Sequence, residues 1–258
     1  MKTILSIIAF VLVIVGIVYL IKMNDMDTTR TPGTAESTPV QVIPIEHATA
    51  VLRWGDMVIY TDPTGGIGAF ADQPAADIVL VTDIHGDHLS PETLSAVIGD
   101  AVLIIPQAVR DELPEELAAR SVVMQNGESR TENGITISAI PMYNLPESPD
   151  SRHPKGRGNG YVLERDGFRI YIAGDTAGIP EMRALTDIDI AFVPMNLPFT
   201  MDVDEAADAV LAFAPRTVYP YHYRGQNGLS DVDRFKELVN TGNPDISVVL
   251  ANWYPDQN

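Results

Sequence analysis

Short apolar runs separated by turn residues recur along most of this chain, and this pattern limits the fold more than any other feature. Runs of four to seven residues with such boundaries are typical of β-strands, and Arg165-Asp166-Gly167 indicates a hairpin between two of them. The predicted strands are Val40–Ile45, Ala48–Trp54, Met57–Thr61, Asp77–Thr82, Ala101–Ile105, Ser121–Met124, Ile135–Ile140, Gly160–Arg165, Phe168–Ala173, Ile188–Val193, Arg216–Tyr219 and Ile246–Leu250.

Helical patterns are fewer and fall between predicted strands. Pro91–Ile98 follows Ser90, a favoured N-cap residue, and Val203–Phe213 carries apolar residues at helical spacing. Asp111–Arg120 and Asp231–Val239 are the other predicted helices. Because strands dominate and helices alternate with them in two places, we expect an α/β fold of two packed sheets with helices outside.

The beginning of the chain differs from the rest. Residues 4–21 form an uncharged stretch of 18 residues, close to the ~20 residues of a membrane-spanning helix. A cleavable signal peptide is the alternative. An N-terminal anchor with a short basic head predicts an extracytoplasmic domain. We therefore expect a membrane anchor over 1–22, a flexible Thr/Pro-rich linker over 23–40 and one folded domain over 41–258.

Composition excludes several classes of function. The net charge is −18, from 35 acidic and 17 basic residues, which argues against nucleic acid as a partner because such binding requires basic surfaces. The chain has no cysteine, so it has neither disulfides nor a thiol nucleophile, and nitrogen and oxygen atoms must hold any metal. No Gly-x-Ser-x-Gly motif is present, which disfavours a serine nucleophile.

Histidines and aspartates cluster where predicted strands end. The segment Asp83-Ile84-His85-Gly86-Asp87-His88 directly follows one strand. Its alternative reading is an acidic turn that caps the helix after Ser90. The other members of the cluster are His47, His153, Asp175 and His222. Imidazoles and carboxylates on loops at strand ends are what a transition-metal site requires.

These residues resemble the metallo-β-lactamase superfamily, whose hallmark is Thr-His-x-His-x-Asp-His after a strand. The chain has Thr82-Asp83-Ile84-His85-Gly86-Asp87-His88, with aspartate at the first histidine position. Further similar segments are Glu46-His47-Ala48-Thr49, Tyr60-Thr61-Asp62-Pro63, Gly158-x-Gly160-Tyr161-Val162, Ile170 to Thr176, Pro198-Phe199-Thr200-Met201 and Pro220-Tyr221-His222-Tyr223. The branch resembled includes ascorbate-6-phosphate lactonase and N-acyl-phosphatidylethanolamine phospholipase D. The resemblance implies a metal-dependent hydrolase with the αββα sandwich of two mixed sheets.

The resemblance also implies roles for individual residues. A first metal ion would be held by Asp83 and His85, a second by Asp87, His88 and His222, and Asp175 would bridge both. Relatives carry one more histidine for the first ion, but the matching stretch Pro141-Met142-Tyr143-Asn144 has none. His153, nine residues on, is the expected replacement, with substrate binding as its alternative. Asn144 is the other candidate.

Several residues are expected around the ligands. His47 either orients a ligand or packs in the core, and Asp62 either orients a ligand or shapes a turn. The aromatic residues either line the cleft or pack in the core; they are Tyr143, Phe199, Tyr221 and Tyr223.

The carboxylate of Asp83 adds negative charge to the first metal position. This moves the preference from zinc towards manganese or iron, or leaves a single ion. Two divalent ions, with zinc as the first choice, would lower the pKa of a shared water to near neutrality.

The resulting metal-bound hydroxide would cleave an ester, lactone, amide or phosphodiester bond of a small or lipid-like substrate. Asp87 would orient the hydroxide and pass its proton to the leaving group. A di-iron redox protein and a catalytically silent metal-binding module are alternatives on the same fold.

Overall fold

Two β-sheets organise the part of the chain that the computed structural model describes, residues 38–255. The first sheet contains, in order across the sheet, β1 (Val40–Glu46), β2 (Thr49–Trp54), β3 (Met57–Thr61), β4 (Ile78–Leu80), β5 (Val102–Ile105) and β6 (Ser121–Val123). The second contains, in order across the sheet, β15 (Ser247–Val248), β12 (Thr217–Tyr221), β11 (Ile190–Pro194), β10 (Phe168–Ile172), β9 (Gly158–Arg165), β8 (Ile135–Met142) and β7 (Ser129–Glu132). A small ribbon is formed by β13 (Arg224–Gly225) and β14 (Gly228–Leu229).

Short helices connect the strands. They are α1 (Pro91–Val97), α2 (Gln107–Glu112), α3 (Glu115–Arg120), α4 (Pro180–Arg183), α5 (Val203–Phe213) and α6 (Val232–Gly242), with a 3-10 turn over Ile67–Phe70. The N-cap of α1 is Ser90, whose hydroxyl accepts from the Thr93 N–H, as the sequence predicts.

Both sheets are mixed, and their strand directions decide which loops meet. In the first sheet β1, β2 and β3 pair antiparallel, whereas β3 to β6 pair parallel. In the second sheet β7 to β10 pair antiparallel, whereas β10, β11, β12 and β15 pair parallel. Thus β1, β3 and β4 run one way in their sheet, and β8, β10, β11 and β12 run one way in theirs.

Alternating side chains of β4 show how the layers pack. Ile78 and Leu80 belong to the large apolar cluster that also contains Leu163 of the second sheet. Val79 belongs to the other cluster, with Leu94 of α1. Since successive strand residues point to opposite faces, one face of the first sheet packs on the second sheet and the other is covered by helices.

Helix α5 packs on the second sheet through aromatic contacts. The ring of Phe213 lies 6.0 Å from that of Tyr171 on β10, edge to face. Phe235 and Val239 of α6 belong to the same cluster and are fully buried. The predicted α/β architecture of two packed mixed sheets is therefore confirmed.

The structure differs from the sequence prediction in local detail. The predicted helix Asp111–Arg120 is two helices, α2 and α3, because Pro114 has no N–H to donate and Leu113 before it is extended. Strand β7 was not predicted, since Ser129-Arg130-Thr131-Glu132 has no apolar run; it forms by pairing with β8 at the sheet edge.

The predicted membrane location is corrected by the structure. Within residues 38–255, no helix is both long enough and apolar enough to cross a membrane. The longest helices described, α5 and α6, have 11 residues each, about 16 Å against a hydrocarbon core of about 30 Å. The predicted anchor (1–22) lies outside the described residues, as does the linker (23–40) apart from its last three residues. The prediction of a membrane-anchored, extracytoplasmic protein is therefore wrong as it stands and is withdrawn.

Candidate metal centre

Loops at one edge of the sheets carry the predicted site residues. The carboxyl ends of strands that run the same way lie at one edge of a sheet, so the loops after β1, β3 and β4, and those after β8, β10 and β12, are gathered there. The N–H of Asn159 at the start of β9 donates to the Thr82 carbonyl over 3.0 Å, which joins this edge of the two sheets. The side chains on these loops are His47, Asp62, Asp83, His85, Asp87, His88, His153, Asp175 and His222.

Asp175 lies at the centre of this cluster. Its Oδ2 is 3.2 Å from His153 Nε2 and 3.3 Å from His88 Nε2, and its Oδ1 is 3.4 Å from His222 Nε2. The loop carrying it begins at Gly174, which has a positive φ of 66° and donates its N–H to the Tyr221 hydroxyl over 2.9 Å. The same carboxylate thus contacts three imidazoles, in the position that the resemblance implies for a bridging ligand.

A first group of potential ligands contains Asp83, His85 and His153. One atom each from Asp83, His85 and His153 falls within 4.8 Å of the others. His85 Nδ1 is 2.6 Å from Asp83 Oδ2, and His153 Nε2 is 3.8 Å from the same oxygen. His153 thus reaches from its loop to the place where the strand-end stretch offers no histidine.

A second group of potential ligands includes Asp175 itself. His88, Asp175 and His222 offer ligand atoms within 4.8 Å of one another, and so do His47, Asp87 and His222. His88 Nε2 and His222 Nε2 are 3.2 Å apart, and Asp87 Oδ2 is 3.2 Å from His222 Nε2. The predicted ligands of the second ion are therefore brought together.

Buried atoms without partners test whether these residues suit a metal. Within the described chain, three buried atoms of the cluster make no hydrogen bond: His85 Nδ1, His153 Nε2 and Asp175 Oδ1. The nearest carboxylate oxygen to His85 Nδ1 is Asp83 Oδ2, at 2.6 Å. Since buried polar atoms normally have partners, and since nitrogen and oxygen donors of this kind bind divalent transition metals, the donor set fits such ions.

Residues behind the potential ligands fix the ring orientations. Asp62 Oδ2 is 2.8 Å from His88 Nδ1, and its two oxygens also accept from the Thr82 N–H and hydroxyl, each over 2.7 Å. His88 can then donate through Nδ1 and leave Nε2 free for a metal, an arrangement common among metal-bound histidines. Asp62 therefore lies where an orienting residue is expected.

His153 is held in the same manner. Its Nδ1 is 3.2 Å from Asn144 Oδ1 and 3.1 Å from the Phe199 carbonyl, and its backbone N–H donates to Asn144 Oδ1 over 2.9 Å. Asn144 thus lies behind His153 rather than facing the cluster, and its geometry is that of a support.

His47 and Tyr143 make their hydrogen bonds to residues that are not among the potential ligands. His47 Nε2 contacts the Arg224 guanidinium, and its Nδ1 is 3.1 Å from the Tyr254 hydroxyl. Burial, with the neighbouring His222 and Arg224, lowers the pKa of His47 to about 4. The Tyr143 hydroxyl instead donates to Glu181 over 2.8 Å, away from the cluster.

Sequence reasoning missed two residues of the cluster. Arg157 binds Asp83 through both oxygens, and the Asn196 amide lies 3.2 Å from His222 Nδ1. Asn196 follows β11, so its place after a strand could have suggested it. Arg157 precedes β9, and that position gave no such signal.

The charges of the cluster depend on one another. Burial alone would lower the pKa of His88, but the carboxylates of Asp175 and Asp62 outweigh it and hold that pKa well above its usual value. Burial likewise would raise the pKa of Asp175, yet His222 and His88 hold it well below the usual range. Without a metal, the carboxyl groups of Asp175 and Asp62 therefore favour the protonated form of His88.

This charge state predicts how metal binding depends on pH. A metal at His88 Nε2 displaces a proton, so metal affinity should rise with pH, by about tenfold for each pH unit over the range in which His88 is protonated. The raised pKa of His88 stabilises the metal-free fold below the unfolded value near 6.5, and this stabilisation is lost as pH rises through the folded pKa. Isothermal titration with zinc in buffers of different ionisation enthalpy measures the protons released. An affinity that is constant over this range, with no proton release, would contradict the charge assignment.

The chain is similar to known proteins over most of its described length. Residues 41–222 match a family model described as a beta-lactamase superfamily domain. Over 210 residues the chain is 33% identical to a UPF0173 metal-dependent hydrolase of Pyrococcus abyssi, an alignment that covers 78% of this chain and 92% of that protein.

Two solved structures have a similar fold. A protein of Parabacteroides distasonis, described as a metal-dependent hydrolase, superposes with a TM-score of 0.72 at 37% identity, covering 82% of this chain and 92% of that one. Igni18, a metallo hydrolase of Ignicoccus hospitalis, superposes with a TM-score of 0.69 at 21% identity, covering 83% and 95%. At that identity the second likeness concerns the fold alone.

Proposed function

Because the chain belongs to the metallo-β-lactamase superfamily, we propose that it is a metal-dependent hydrolase with a binuclear centre. Zinc is the proposed metal, with manganese and iron as alternatives, and the bond cleaved is an ester, lactone, amide or phosphodiester. The observation that carries this proposal is the buried carboxylate of Asp175, which contacts His153 of the first group of potential ligands and both His88 and His222 of the second.

The residues around the proposed metal positions have different roles in the reaction. When bound, two divalent cations would lower the pKa of a coordinated water and neutralise charge that develops on the substrate. His88 and His153, held from behind by Asp62 and Asn144, would keep the ligand geometry fixed. This rigid support spares the site from reorganising during the reaction.

Asp87 is the proposed proton carrier. Its side chain is 39% exposed, whereas those of His222 and Asp175 are 1% and 4% exposed, so it is the carboxylate of this group that solvent or substrate can reach. Its Oδ2 is 3.2 Å from His222 Nε2, which fixes its orientation. From this position Asp87 would orient the attacking water and deliver its proton to the leaving group.

A cavity beside Asp87 is the proposed substrate site. Its volume is about 550 Å³, within the range of small-molecule pockets, and its lining includes His47, Gly66, Ser90, Thr93 and Arg224. Hydroxyl groups and one guanidinium provide hydrogen-bond donors, and the carboxylates of Glu46 and Glu92 provide acceptors, which suits a small polar substrate. The proposed substrate is therefore a small molecule with its scissile bond at Asp87.

Metal removal tests the function directly. Full-length protein stripped with a chelator should lose hydrolysis of every responsive substrate in a panel of nitrophenyl esters, lactones, anilides and phosphodiesters, and added zinc or manganese should restore it. The reason is that the chain has neither a cysteine nor a Gly-x-Ser-x-Gly motif that could supply an alternative nucleophile. The control is a mock-treated sample carried through the same dialysis. Hydrolysis that survives complete metal removal contradicts the proposal, and oxygen consumption by iron-loaded protein would favour the redox alternative.

A further inference from the structure

Asp83, a member of the first group of potential ligands, is also held by a guanidinium. Arg157 Nε donates to Asp83 Oδ1 over 3.1 Å, and Arg157 Nη2 donates to Oδ2 over 2.9 Å. The Asp83 carboxylate is fully buried, and the arginine side chain is 19% exposed. A two-point Arg–carboxylate contact of this kind is strong and directional, so it fixes the plane of the carboxylate.

The two oxygens of Asp83 therefore have different surroundings. Oδ1 has Arg157 as its hydrogen-bond donor, whereas Oδ2 also lies 2.6 Å from His85 Nδ1 and 3.8 Å from His153 Nε2. The arginine thus points Oδ2 towards the first metal position and keeps Oδ1 away from it. Asp83 is arranged to offer one oxygen to an ion rather than two.

The pair also changes the charge of the first position. In the superfamily pattern that this chain resembles, a neutral imidazole stands where Asp83 is found. A carboxylate and a guanidinium in contact sum to zero charge, as a neutral imidazole does. The additional negative charge that the sequence alone suggests is therefore offset by a residue that lies 74 positions away.

From these contacts, and resting on the proposed metal-dependent function, we propose that Arg157 sets the affinity and selectivity of the first metal position. It is a positioning residue that acts through Asp83, orienting one oxygen and offsetting the charge. With Arg157 in place the position resembles a site with neutral imidazole ligands and favours zinc. Without it, Asp83 is an unpaired carboxylate, free to bind through both oxygens, and the position favours the harder Mn²⁺ ion.

The test compares metal affinities of full-length variants. A guanidinium one carboxylate away from a divalent cation opposes its binding by on the order of tenfold. We expect Arg157→Met to raise Mn²⁺ affinity at the first position by at least that factor and to reduce the preference for Zn²⁺ over Mn²⁺. Arg157→Lys keeps the charge but not the two-point contact, so its preference should fall between those of the wild type and Arg157→Met. Stepwise titration with each metal gives the affinities, and the step lost in His153→Ala identifies the first position.

Control variants separate this role from a general effect on folding. Arg165→Met removes the same charge from the far end of β9, where Arg165 pairs with Asp56 over 3.0 Å, and it should leave both affinities unchanged. Asp83→His should weaken zinc binding because it leaves Arg157 against a neutral ring. The double variant Asp83→His with Arg157→Met should restore zinc binding to the wild-type level or above.

The outcomes distinguish this inference from the proposed function. Equal losses of Zn²⁺ and Mn²⁺ affinity in Arg157→Met would mean that Arg157 only supports the fold, and unchanged affinities would mean that it has no influence on the ion. Either result overturns the inference and leaves the hydrolase proposal intact. A wild-type protein that binds no metal at all overturns both.

Discussion

Asp175→Asn should abolish metal binding at both positions and reduce metal-dependent hydrolysis to background. Asparagine keeps the shape of the side chain but loses the charge, and its NH₂ group cannot coordinate a metal. Since orienting residues behind a ligand already contribute about 10- to 100-fold to metal affinity, loss of a ligand shared by two ions should cost more than about 100-fold at each. Elemental analysis and titration with zinc give the result.

Asp189→Asn is the matched control for this variant. Asp189 is also a buried aspartate of the second sheet, but it lies just before β11, at the opposite end of the strands, where it accepts from the Arg169 N–H over 2.8 Å. This variant should lose some thermal stability and keep its metal. Wild-type metal content in Asp175→Asn would contradict the bridging position of Asp175.

Asp62→Asn should lower metal affinity by about 10- to 100-fold while keeping the ligands themselves intact. The two carboxylate oxygens of Asp62 face three donors: the Thr82 N–H, the Thr82 hydroxyl and His88 Nδ1. An asparagine has one acceptor oxygen, so its NH₂ group must face one of these donors. Two donors that face each other cannot form a hydrogen bond, which should cost about 1–3 kcal/mol of folding free energy. His88 should also lose its fixed orientation. Zinc titration measures the first effect and thermal unfolding the second.

Asp77→Asn is the control for Asp62→Asn. Asp77 accepts from the Val58 N–H over 2.8 Å and directly precedes β4, so it serves the same sheet at the edge away from the cluster. It should reduce stability without changing metal affinity. An Asp62→Asn variant that is destabilised to the same degree but binds zinc as wild type would show that Asp62 supports the sheet rather than His88.

Most strands could be predicted because burial on one or both faces imposes a readable pattern. The run Ile78–Val81 is apolar because successive residues enter two different cores. The hairpin at Asp166-Gly167 could be predicted because a two-residue hairpin turn needs positive φ, which these residue types favour. In the structure the two φ angles are 53° and 77°. Edge strand β7 could not be predicted from the sequence, since it is a strand because it pairs with β8 and not because of its composition.

The candidate site could be predicted as far as it follows the carboxyl ends of strands. Asp83 to His88, Asp175 and His222 stand there, and the structure gathers them. Arg157 precedes a strand, and it reaches the site because β9 runs antiparallel to β8 and β10 and therefore begins where they end. Finding it required the strand directions, which the sequence does not display.

Supporting contacts were the least predictable part of the site. Asn144 follows a strand and was considered as a ligand, but its amide lies behind His153. Tyr143 is adjacent in sequence, yet its hydroxyl lies with Glu181 and Lys155. Neighbouring loop residues point in different directions according to the packing of distant segments, and local sequence carries little information on this.

The metal content of the full-length protein shows whether the site holds a binuclear metal centre. Wild type and Asp175→Asn are purified without added metal, incubated with zinc, manganese or iron, dialysed and analysed by mass spectrometry for elements. We expect about two equivalents of one metal in the wild type, as a binuclear centre requires, and almost none in the variant. A wild-type protein that retains none of these metals, or a variant that retains as much as the wild type, would contradict this expectation.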